Sequence, residues 1–160
     1  MESRAKLFGH AGHPILIVFP LGLLATATMF DLIYWFKGSA GLATASFYMQ
    51  VAGIIGGLVA APFGLIDWLA IPSDTRAKRV GALHGIGNVV VLGLYAASAL
   101  FRWDEITTPP LLSLLASVIG FALAGFTGWL GGELVDRLGV GVDRGAHVNA
   151  PSSLSGKPAA

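Results

Sequence analysis

Apolar residues run along this chain in four long blocks, and the polar ones gather between them. No Asp, Glu, Lys or Arg occurs in Leu7–Phe30, Gly38–Ile66, Val80–Phe101 or Ile106–Gly132. Each block exceeds the roughly 20 residues with which an α-helix crosses about 30 Å of hydrocarbon. The pattern therefore predicts four transmembrane helices, at about 13–36, 46–71, 79–101 and 110–138. Pro14 suits the first turn of the first helix, and Pro20 and Pro62 predict kinks inside the first two. Short loops make successive helices antiparallel neighbours. The expected fold is all-α, an integral membrane four-helix up-down bundle within residues 1–138. Residues 139–160, rich in Gly, Pro, Ser and Asn, are expected to form a flexible cytoplasmic tail.

Composition narrows the function classes. The 160 residues are 54% hydrophobic and 12% charged, about half the charge of an ordinary soluble domain. The absence of Cys removes disulfides, thiol redox chemistry and Cys-ligated iron–sulfur clusters. A net charge of +1 gives no footing for a nucleic-acid partner. Lys and Arg are unevenly placed: the first and third loops hold only Lys37 and Arg102, and the other eight lie at the termini or in the second loop. By the positive-inside rule both termini are expected in the cytoplasm, in a bacterial inner membrane. Ala25-Thr26-Ala27 also resembles a signal-peptidase site, but the apolar run continues past it to Phe36, which suits a helix that is retained.

The chain aligns with itself. At an offset of 71, His13–Phe30 falls on His84–Phe101 with eight identities in 18 positions, His13 on His84 among them. At an offset of 72, the A-G-x-x-G-x-L spacing of Ala52–Leu58 falls on Ala124–Leu130. This reads as a duplicated helical hairpin whose halves are related by an axis along the membrane normal. Helices one and three are then diagonal, with His13 facing His84 at one depth. Steps of four, seven and three residues put His84, Asn88, Tyr95 and Ser98 on one stripe of helix three, which should face the bundle interior. On helix two, Gly53, Gly56, Ala60, Gly64 and Asp67 form a stripe of small residues that admits a close neighbour.

Several chemistries suit these residues. Two neutral imidazoles from diagonal helices at matching depth can take both axial positions of a b-type haem, with Asp67 and Asn88 orienting them. An electron carrier of this kind would work with a membrane redox partner. Alternatively His13, His84, Asp67 and Glu133 form a divalent-metal or proton site. The plainest alternative is a structural membrane subunit without cofactor, its Gly-rich faces docking other helices or a second copy. Glu133 would then pair with Arg137 four residues on, Asp67 would reach toward headgroups, and Asp31 would sit at the interface near Lys37. A soluble globular enzyme is excluded by the four apolar blocks, and no catalytic residue is assigned.

These residues also carry a resemblance. His13-Pro14 with Pro20-Leu21-Gly22-Leu23, Asp67-Trp68, His84 with Asn88, and Gly131-Gly132-Glu133-Leu134-Val135 running into Gly139-Val140-Gly141-Val142 resemble the bacterial four-helix membrane proteins catalogued as domain of unknown function 2231. The resemblance implies the four-helix layout and intramembrane histidines, similar to small di-haem cytochrome-like proteins, and no established activity. Where that pattern has a Tyr and a His before the final Gly, this chain has Asp136 and Leu138. His13 and His84 are thereby left as the stronger ligand pair.

Overall fold

A computed structural model describes residues 1–155 and 157. Four helices account for most of them: α1 (Gly12–Lys37), α2 (Ala40–Ala70), α3 (Arg76–Phe101) and α4 (Leu111–Gly132). Each is long and apolar enough to cross a membrane. α1 packs most extensively on α2 and α3 on α4, while α2–α3 and α1–α4 contacts close the ring. The up-down bundle expected from the loops is thus formed, with α1 and α3 on one diagonal.

Helix ends follow local chemistry. α1 stops at Gly38, which takes φ 64°, and whose N–H bonds back to Tyr34 O. Only Ser39 intervenes before α2, which starts six residues earlier than the sequence suggested. The run Ala40–Ala45 is half alanine and has no proline, so it extends the helix despite Gly41. α3 also starts early, at Arg76, because the Thr75 hydroxyl accepts from Lys78 N. Pro20 and Pro62 both lie within continuous helices. At the other extreme α4 passes into a π-helical turn, Glu133–Arg137.

Burial runs opposite to that of a water-soluble domain. Phe19, Leu58, Val89 and Phe126 are among many large apolar side chains on the outside, whereas Thr28, Asp31, Gln50, Ser98, Arg102 and Ser117 are at most 1% exposed. Lipid is as apolar as Leu, so the polar groups turn inward and find one another. Between the two polar ends lies an apolar layer of Leu24, Val91 and Tyr95.

Residues 1–11 and the segment after α4 lie at one end. A short hairpin of β1 (Lys6–Leu7) and β2 (His10–Ala11) precedes α1. In the segment expected to be a flexible tail, residues 139–141 and Ser153 touch this end, while most of residues 142–155 are exposed. Gly141 N bonds to Met1 O at 2.8 Å, Val140 packs on the Val80, Leu130 and Leu134 cluster, and Ser153 Oγ reaches Phe8 O. Residues 156 and 158–160 of the expected tail lie outside the described residues.

Candidate functional site

Near the end that bears the termini, His13 of α1 and His84 of α3 meet across the bundle, their ring centres 6.2 Å apart and their planes at 84°. Each ring is pinned by the second helix of its own hairpin. His13 Nδ1–H donates to Ala60 O at 3.0 Å and His84 Nδ1–H to Thr127 O at 2.8 Å. A carbonyl can only accept, so both neutral imidazoles carry the proton on Nδ1 and present a lone pair at Nε2. Glycine makes the room: a Cβ at Gly64 would stand 3.0 Å from His13 Nδ1, and one at Gly131 3.2 Å from His84 Cε1.

The two Nε2 atoms differ in surroundings. His84 Nε2 accepts from Asn88 Nδ2 at 3.1 Å, and Asn88 Oδ1 accepts from the Thr127 hydroxyl at 2.9 Å. Asn88 thus touches His84 as the helical stripe suggested. For His13 Nε2 no hydrogen-bond partner is found among the described residues.

The carboxylates proposed beside the histidines are engaged elsewhere. Asp67 is a latch for the N-terminal segment, accepting from Ser3 Oγ, Arg4 N and Ala5 N at 2.7, 2.7 and 3.3 Å. Glu133 accepts from Arg76 at 2.6 Å rather than from Arg137, because the π-helical turn breaks the i,i+4 geometry that pairing needs. Among the described residues no group of three or more His, Asp or Glu is placed to hold a metal ion. His10 is exposed and contacts Ser153 Oγ.

The middle of the bundle is filled. Inward glycines at 53, 57 and 120 face the side chains of Leu24, Leu92 and Tyr95. A recess of about 410 Å³ lies on the outer face between α1 and α2, lined by Leu16, Phe19, Ile55, Gly56 and Val59 with Ala52. The small-residue stripe of α2 is therefore spent within the chain, on α1.

A second polar centre, which the sequence reading missed, occupies the opposite end. Asp31 and Arg102 form a bidentate pair at 2.8 and 2.9 Å, both side chains fully buried. Asp31 Oδ2 also accepts from Gln50 Nε2 at 3.0 Å and Ser117 Oγ at 2.7 Å. Arg102 donates to Ser113 Oγ through Nε, to Ser98 Oγ through one terminal nitrogen, and weakly to Ser46 Oγ through the other. Asp31 therefore does not reach the interface near Lys37. An unpaired charge in hydrocarbon costs several kcal/mol, and Arg102 just past the end of α3 folds back to meet it. Tyr95 OH links this centre to the middle of the bundle, bonding Thr28 Oγ1 at 2.7 Å and donating to Leu24 O.

Four apolar spanning helices place the protein in a lipid bilayer. No curated protein and no solved structure matches the chain. The family model described as predicted membrane protein DUF2231 matches residues 9–144, which takes in all four helices, both polar centres and the π-helical turn. The chain thus belongs to the DUF2231 family of predicted membrane proteins.

Proposed function

We propose that the protein is a small membrane electron carrier whose His13 and His84 are the axial ligands of one b-type haem. The observation that carries this reading is the imidazole pair: diagonal helices, ring centres 6.2 Å apart, and Nδ1 of each ring locked to a backbone carbonyl. His13 and His84 would hold the iron through Nε2, since Nδ1 of each ring is committed to a backbone carbonyl. The Nδ1 contacts are the outer hydrogen bonds that ligating histidines ordinarily make. Of the two Nε2 donors, that of His13 has no hydrogen-bond partner among the described residues, and that of His84 would have to be released by Asn88. Contacts between the hairpins are sparser than within them, but the buried Asp31–Arg102 pair joins the hairpins, so a macrocycle would require them to part at the histidine end alone. Bound haem would supply one-electron chemistry to a membrane redox partner. Orientation with both termini in the cytoplasm of a bacterial inner membrane follows from the Lys and Arg distribution, and a reporter at the C-terminus should be active only on that side.

The test is an absorption spectrum of protein purified from haem-replete cells. A haem b spectrum is expected, lost in His84→Ala and retained in Glu133→Gln, since Glu133 bonds to Arg76 and not to either ring. Absence of haem from the wild type would reject the reading. One observation favours a second reading, a proton-accepting His13: its Nε2 has no hydrogen-bond partner among the described residues, whereas Asn88 occupies His84 Nε2. A cofactor-free protein in which the His13 nitrogen resonances respond to pH and those of His84 do not would support it. Stoichiometric divalent metal that falls equally in His84→Ala, Asp67→Asn and Glu133→Gln would instead revive the four-residue metal site.

A further inference from the structure

Contacts in the first hairpin recur in the second at fixed shifts, 71 residues for α1 to α3 and 67 for α2 to α4. His13 bonds Ala60 O and lies against Gly64; His84 bonds Thr127 O and lies against Gly131. Leu24 fills the space at Gly53, and Tyr95, 71 residues after Leu24, fills that at Gly120, 67 after Gly53. The α2 to α4 shift is thus 67, not the 72 suggested by the A-G-x-x-G-x-L spacing.

The same shifts relate the members of the buried charge centre. Asp31 corresponds to Arg102, Ser46 to Ser113 and Gln50 to Ser117. Corresponding residues do corresponding work: Gln50 and Ser117 both donate to Asp31 Oδ2, and Ser46 and Ser113 both accept from Arg102. Around a two-fold axis, a residue near the axis meets its own equivalent. His13 meets His84 and Asp31 meets Arg102, as positions on such an axis must.

We infer that the two hairpins are equivalent units docked about a two-fold axis along the bundle, and that Asp31 and Arg102 occupy one position of that unit, made acidic in one copy and basic in the other so that each hairpin accepts only its complement. The partner of each hairpin's inner face is a hairpin of the opposite sign. Two first hairpins would bury Asp31 against Asp31, and two second hairpins Arg102 against Arg102. Like charges in a site without water are strongly disfavoured, and complementary ones select the mixed pair.

The experiment is a charge exchange in the full chain, read as thermal midpoint and monodisperse yield in detergent. Asp31→Arg and Arg102→Asp alone should each lower the midpoint by at least about 10 °C or abolish folded protein. The double exchange Asp31→Arg with Arg102→Asp should recover most of that loss, because equivalent Ser46 and Ser113, and equivalent Gln50 and Ser117, serve either arrangement. A double exchange no better than the singles would overturn the inference, as would singles that behave like the wild type. A second arm works even where each single variant fails to fold. Full-length Arg102→Asp and Asp31→Arg chains, differently tagged and co-expressed, should co-purify one to one as a dimer that exchanges hairpins, since each first hairpin then finds its complement in the other chain. Failure of that pair to associate would also overturn it.

Discussion

Gly128 and Gly131 are less than one turn apart on α4, yet a side chain at each would meet different surroundings. At Gly131 a Cβ would press on His84, while at Gly128 nothing lies within 4 Å. Gly131→Ala should displace the ring from Thr127 O and cost about 1–3 kcal/mol. Gly128→Ala should leave the thermal midpoint unchanged or raise it by up to about 1 kcal/mol equivalent through helix propensity. Melting both variants in one detergent checks the contrast. Asn88 makes a second prediction at this scale. Its amide holds the lone pair that iron would need, so Asn88→Ala should bind added haemin more tightly, by about two- to tenfold, corresponding to one neutral hydrogen bond. A residue that merely supports the site would give weaker binding, and titration of the apoprotein distinguishes the two signs.

Residues also show where the sequence was legible. The His13 and His84 match was visible because both copies kept the same residue, and identity is what a self-alignment detects. The matching window stops at Phe30 and Phe101, one position short of Asp31 and Arg102. Opposite charges register as a mismatch in such a comparison, although they are the contact. Arg102 was also counted as a loop charge, which is where a residue just past a helix end belongs until its partner inside the bundle is known. Asp67 and Glu133 share a membrane end with the histidines, but sequence gives depth without direction.

At the level of elements, the four helices followed from the charge-free blocks, and their inward stripes from 3.6-residue periodicity; Tyr95 and Ser98 are wholly buried. What periodicity could not give was the association of the two termini. Asp67 clasps residues 3–5 through one side-chain and two backbone donors, and the bond from Gly141 N to Met1 O adds the segment after α4. Asp67→Asn should therefore free residues 1–11 for proteolysis or hydrogen exchange while α1–α4 keep their protection, a local opening and not a global one. Acid should act on the same segment. A hydrogen bond from Lys6 holds the exposed Glu2 carboxyl below its ordinary value. That pairing is intact above the ordinary Glu range and is lost as pH falls through the lowered value, so exchange of β1 and β2 should quicken only at the acid end.

For the whole molecule, the distance in sequence between Asp31 and Arg102 becomes a matter of time. A ribosome adding about 5–20 residues per second makes the intervening 71 residues in roughly 4–14 s. Throughout that interval α1 carries its acid into the bilayer without the base that neutralises it. Gln50, only 19 residues downstream, is the first intramolecular donor to arrive, whereas Ser117 is synthesised after Arg102. Both bond the same carboxylate oxygen in the finished protein, but only Gln50 can shelter it during synthesis. Pulse-labelled chains should consequently show less membrane-inserted product for Gln50→Leu than for Ser117→Ala. Equal yields from the two would mean that Asp31 enters the membrane without help from its own chain.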